Sequence, residues 1–182
     1  MTNNLKIIIQ QWLDDVVIGL NLCPFAARPQ RNGQIEIVVS QARSDEALMI
    51  DLQQQMARLI ETPAAQLETT ILAVPHMLSD FEQYNQFLDL ADMLIAQSGY
   101  EGVLQVASFH PDYQFADTHP DDAENLTNRS PVPIFHLLRE QSLSDAIENY
   151  TDPDKIPERN IRRMERLSPE QKQSLFHYLL KQ

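Results

Sequence analysis

Apolar residues recur at helical spacing from the start of the chain. Leu5, Ile8, Ile9, Trp12, Leu13, Val16, Val17 and Leu20 share one face, while Lys6, Gln10, Asp14 and Asp15 occupy the other. That periodicity predicts an amphipathic helix, weakened at Gly19 and Asn21 and ended by Pro24. The pattern changes at Ile35-Glu36-Ile37-Val38-Val39, a short β-branched run that reads as a strand. A second helix follows from Ser44 as N-cap, with Asp45 and Glu46 in its first turn and Leu48, Leu52, Met56, Leu59 and Ile60 as its apolar stripe. Residues 69–74 form the next strand-like run, closed by Pro75 and His76. Ser79 and Glu82 stand in capping-box spacing before a third helix, whose stripe runs from Phe81 to Ile95 and which Gly99 ends. Residues 103–109 complete the set of strands.

Strands that begin near residues 35, 69 and 103, with a helix between each pair, predict βαβ units. The expected fold is α/β: a small, mainly parallel sheet of three or more strands with packed helices and a helical C-terminal part. A ferredoxin-like α+β arrangement is the alternative, and it requires one more strand, sought in the loop after the first helix. The C-terminal part reads as short helices. One opens at Ser130-Pro131 and runs through Ile134, Leu137 and Leu138; another starts at Ser142. A basic helix follows around Ile161, Met164 and Leu167, and Ser168 caps a last one, in which Leu175, Phe176, Leu179 and Leu180 face inward.

Length and composition narrow the class. The 182 residues suit one compact domain, 1–182, with a real core. Acidic residues outnumber basic ones for a net charge of −12, which opposes nucleic-acid binding. No apolar run is long enough to cross a bilayer, and the first residues carry no export signature, so a cytoplasmic protein without membrane attachment is expected. The single cysteine excludes a disulfide framework.

Candidate chemistry gathers after the third strand. Residues 110–129 lack apolar periodicity and are rich in Asp, Asn, His and Thr, and a loop of this length in a compact domain is a candidate functional segment. His76 and His110 end successive strands, and open α/β sheets bind ligands at that carboxyl edge. His110 is the candidate acid/base, oriented by Asp112, Asp121 or Asp122. With His76 and His119 it is also a candidate ligand of a divalent metal, although no tight ligand motif is present. Cys23, flanked by Leu22 and Pro24-Phe25, is either a nucleophile or a buried wall residue. Arg129 precedes the expected helix start at Ser130, where free N–H groups and a guanidinium would hold an anion, with Asn125, Arg139 and Arg159 as further binding residues. The alternative for these arginines is internal pairing with Asp121, Asp122, Glu124, Glu140 and Glu158. The basic stretch Arg159, Arg162, Arg163 and Arg166 is broken by glutamates and reads as a solvated face or a homo-oligomer contact.

Four segments together resemble a family of uncharacterised, mostly bacterial proteins of about this length, with plant relatives. They are Gly19-Leu20-Asn21-Leu22-Cys23-Pro24-Phe25-Ala26, Ser108-Phe109-His110-Pro111, Asp121-Asp122-Ala123-Glu124-Asn125 through Arg129-Ser130-Pro131, and Ile156-Pro157-Glu158-Arg159-Asn160. The resemblance spans nearly the whole chain and implies a single cytoplasmic domain, but it brings no activity.

Two functions are expected from these residues. The first is an enzyme that hydrolyses a small anionic metabolite or transfers a group from it, at a site made of His110, the aspartates and Arg129. The second is a non-catalytic protein that binds a ligand or a partner. A third role, as a structural subunit joined through its C-terminal helices, follows from the amphipathic C-terminal segments.

Overall fold

The computed structural model describes residues 2–179; Leu180, expected on the inner face of the last helix, lies outside them. Helix α1 (Thr2–Gln11) continues as a π-helical segment (Trp12–Ile18). A short α2 (Ala27–Arg31) leads to β1 (Ile35–Val39), α3 (Asp45–Glu61), β2 (Thr69–Ala73), α4 (Phe81–Gln97) and β3 (Leu104–Phe109). A 3-10 turn (Ala123–Asn128) precedes β4 (Ile134–Arg139), which is followed by α5 (Glu140–Glu148), α6 (Ile156–Glu165) and α7 (Pro169–Leu175).

Local chemistry accounts for the helix ends. Ser44 caps α3 by accepting the N–H of Ala47, and Ser168 and Gln171 form the reciprocal capping box of α7. The start of α4 differs from expectation by one residue: Asp80, not Ser79, is the N-cap, and its carboxylate accepts the N–H of Gln83. Among the described residues no helix is long and apolar enough to cross a membrane.

The four strands lie in the order β1-β2-β4-β3. Only β1 and β2 pair in parallel; β4 runs antiparallel to both of its neighbours. The expected mainly parallel sheet is therefore a mixed one. The three strands read from the sequence do point the same way, but β4 is inserted between β2 and β3. An extra strand exists, as the ferredoxin-like alternative required, but at residues 134–139 rather than in the loop after the first helix.

The helix expected from Ser130 is this strand. Pro131 and Pro133 hold the preceding residues extended, and the chain then enters the slot between two strands. There it buries both faces: Ile134 points to one layer, Phe135 and Leu137 to the other. A central strand apolar on both sides shows little alternation, so periodicity alone does not separate it from a buried helix.

The sheet divides two apolar layers. On one face Leu72, Val74, Leu104, Phe135 and Leu137 meet α3 and α4 through Leu48, Leu52, Tyr84 and Phe87. On the other, Ile71, Ala73 and Ile134 meet Ile9, Trp12, Leu13 and Val16 of the first helix, Met164 of α6 and Phe176 beyond α7. This alternation is the two-residue period of strands crossing a helix–sheet–helix sandwich.

Candidate functional site

The second layer contains a cavity of about 540 Å³ at the carboxyl end of β3. Each of the four family-like segments reaches it. Leu22 and Cys23 come from the segment after the π-helix, which also supplies Val17, and Phe109 ends β3. Glu124, Thr127 and Asn128 line it from the 3-10 turn, and Ile156, Pro157 and Asn160 from α6.

Several hydrogen bonds fix these walls. Asn160 donates from Nδ2 to the carbonyl of Leu22 at 2.8 Å, which ties α6 to the loop carrying Cys23. Asn128 donates from Nδ2 to the carbonyl of Ser108 at 3.1 Å. The Thr127 hydroxyl lies 2.7 Å from the Glu124 carbonyl and 3.1 Å from Asn128 Oδ1. The indole N–H of Trp12 donates to the carbonyl of Arg129 at 3.1 Å, so the first helix also holds the end of the turn. The Cys23 thiol is a wall residue; burial pushes its pKa up, against the lowering effect of the Phe25 and Ala26 N–H groups.

His110 lies outside this cavity. Its side chain is 0% exposed and packs against Phe81 and Tyr84 in the opposite layer. Nε2 faces the Leu78 carbonyl at 3.0 Å, and Nδ1 accepts the Asp112 N–H at 3.0 Å. A carbonyl can only accept, so Nε2 carries the proton and the ring is neutral, with both nitrogens engaged. Burial lowers its pKa, partly opposed by the Leu78 carbonyl, Asp112 and Asp80. The main chain of His110 also anchors the loop: its N–H donates to Asn128, and its carbonyl accepts from Tyr113 and Ser130.

Of the remaining sequence candidates, His119, Asp122 and Asn125 are joined by hydrogen bonds within the loop. His76 and His119 are exposed, as are Asp112, Asp121 and Asp122. Among the described residues no three His, Cys, Asp or Glu side chains form a group able to hold a metal, so His76, His110 and His119 are not brought together. Asp122 accepts the His119 N–H, and buried Asn125 holds the loop closed by accepting from Phe115 and Thr118 and donating to the His119 carbonyl. The buried hydroxyl of Ser130 donates to the Val132 carbonyl. It heads no helix, so the helix N-terminus expected to bind an anion there does not form.

The arginines also do not converge. Arg129 donates to the carbonyls of Tyr113 and Pro120, which pins the loop from inside. Arg139, at the end of β4, closes the C-terminal end of α3 through the carbonyls of Leu59, Thr62 and Leu67. Arg159 donates from Nη1 to the Tyr150 hydroxyl at 2.7 Å, with its guanidinium over that ring. Arg129 precedes β4 and Arg139 ends it, and the two share no hydrogen-bond partner.

Most of the residues that line the cavity stand in the sequence motifs, and apart from Cys23 none of them suggests a role there. Phe109, Thr127, Asn128, Ile156 and Asn160 carry no reactive group that singles them out. Their common signal is membership of three of the four separated segments that resemble one family.

Fold and cavity together define a mixed α/β protein with a mostly apolar pocket at one end of its sheet. Residues 5–174 match the family described as "Protein of unknown function (DUF1415)", and the chain belongs to that family. No curated protein and no solved structure matches it.

Proposed function

We propose that this protein binds a small organic molecule in the cavity beside Cys23, and that ligand binding rather than acid/base chemistry at His110 is its basic activity. The observation that carries this reading is the meeting of four distant segments around one cavity of about 540 Å³, a volume suited to a small ligand. Val17, Leu22, Phe109, Phe115, Ile156 and Ile161 would cover an apolar body. His110 supports the reading from the other side: an imidazole with both nitrogens engaged in the neutral form has no free site for a substrate proton.

A second reading gives Cys23 a covalent role, because its thiol lies in the wall and the N–H groups of Phe25 and Ala26 favour its anionic form. Burial outweighs them and favours the protonated thiol, so binding takes precedence over reaction.

Amide NMR with a set of fragment-sized ligands tests the proposal. The expected result is a shift pattern confined to residues 17–23, 109–128 and 156–161, weakened in Ile161→Trp, whose larger ring narrows the cavity. Ligands that bind equally well to Ile161→Trp would reject it.

A further inference from the structure

The polar groups of the cavity do not form a balanced set. Five side chains supply them: Cys23, Glu124, Thr127, Asn128 and Asn160. Among the described residues no Lys, Arg or His lines the cavity. The two amides have fixed orientations, because a nitrogen must face each main-chain carbonyl: Asn128 Nδ2 faces Ser108, and Asn160 Nδ2 faces Leu22. Their carbonyl oxygens are left as the freer ends. Asn128 Oδ1 has only the Thr127 hydroxyl as neighbour, and Asn160 Oδ1 has no partner among the described residues. The Glu124 carboxylate likewise makes no ion pair or hydrogen bond there, although it is half-buried. The side-chain groups left over are therefore mainly acceptors, and the one formal charge is negative.

We infer that the ligand is a protonated amine on a hydrocarbon body, with its ammonium group against Glu124 and the amide oxygens and its apolar part between Phe109 and α6. This rests on the ligand-binding reading above and gives it a chemical class. An ammonium supplies donors and no acceptor, which matches the lining. A carboxylate or phosphate ligand would instead meet Glu124 with no cation in the wall to compensate. Arg159 of α6 does not line the cavity: its Nη1 donates to Tyr150, and its Nη2 is buried without a partner among the described residues. The net charge of −12 adds a long-range field that favours cations.

The test uses three matched ligands on the full chain: 2-phenylethylamine, 2-phenylethanol and 3-phenylpropanoate, titrated by amide NMR near neutral pH. The amine is expected to bind about tenfold more tightly than the alcohol, and the carboxylate most weakly. Glu124→Gln is expected to remove the amine preference, bringing amine binding down to about the level of the alcohol. A second measurement does not depend on the variant: the amine preference should shrink between about 20 and 500 mM salt. Carboxylate binding equal to or tighter than amine binding overturns the inference, as does an amine preference that survives Glu124→Gln. Either result, with shifts still confined to the cavity and weakened in Ile161→Trp, leaves the binding reading standing. If none of the three ligands shifts the cavity residues, both fall.

Discussion

The side-chain amide of Asn160 donates to the main-chain carbonyl of Leu22 at 2.8 Å. One end of this bond is on α6 and the other is one residue before Cys23, so it closes the cavity wall between the two segments most distant in sequence. A partly buried bond of this kind contributes about 1 kcal/mol, and loss of the donor also leaves the Leu22 carbonyl without its partner. Asn160→Ala is expected to lower stability by about 1–2 kcal/mol in urea unfolding. Ligand shifts at Leu22 and Cys23 should weaken more than those at Asn128. Unchanged stability together with unchanged binding would show that α6 is held in place by its apolar contacts alone.

Gly19 has a steric reason to be glycine. Its N–H donates to the Asp14 carbonyl at 2.8 Å, closing the wide π turn that precedes the Cys23 segment. A Cβ at this position would lie 2.3 Å from the Asp15 carbonyl oxygen, which is backbone and cannot rotate away. Gly19→Ala is therefore expected to destabilise the protein by about 1–3 kcal/mol, the usual range for forced overpacking, even though alanine is the better helix former. The midpoint of urea unfolding measures it. A stabilised variant would mean that the π turn relaxes to an ordinary helix at no cost.

Elements with a clear period were legible in the sequence. The first helix and the strands at 35–39, 69–73 and 104–109 lie where apolar spacing and β-branched runs place them. The strand Ile134–Arg139 was hidden because both its faces are buried, so it lacks the polar alternation of a half-exposed strand. The candidate site was legible only in part. Cys23 and the loop holding Glu124 stood out as segments, but histidine and arginine attracted attention by their reactivity, and here both serve as internal hydrogen-bond donors to backbone carbonyls. Nothing local in a sequence separates an arginine that holds an anion from one that, like Arg139, gathers three carbonyls. That difference lies in which chain ends the fold brings within reach.

Buried His110 and half-buried His136 make stability depend on pH. His136 Nε2 lies 2.7 Å from the Thr69 hydroxyl, which itself donates to the Leu137 carbonyl, so the ring donates from Nε2. Burial pushes its pKa down to about 4. Between that value and the ordinary value near 6.5, the unfolded chain takes up a proton that the native state refuses. The contribution is thus fully present above about pH 6.5 and is lost as pH falls toward about 4, a loss of about 3 kcal/mol. His110 is shifted in the same direction by its own burial, so it adds to the slope. Urea unfolding of the wild type and His136→Gln between about pH 7 and 5 measures the effect. The wild type should lose stability more steeply; parallel curves would assign the pH dependence to other groups.

Cys23 offers the most direct report on the cavity. Its Sγ is drawn toward the thiolate by the N–H groups of Phe25 and Ala26, but desolvation by the surrounding walls is the larger effect and keeps the proton on. Since the thiolate is the reactive form, alkylation by iodoacetamide near pH 7.5 is expected to be about tenfold slower than in the urea-unfolded chain, and to rise steadily with pH rather than level off. A ligand in the cavity should slow it further, in proportion to occupancy. Cys23→Ser should fold and bind nearly as the wild type does, since a wall residue contributes shape more than reactivity. Fast alkylation with a plateau below pH 7, or loss of all binding in Cys23→Ser, would instead make the thiol a working nucleophile and shift the balance toward covalent chemistry.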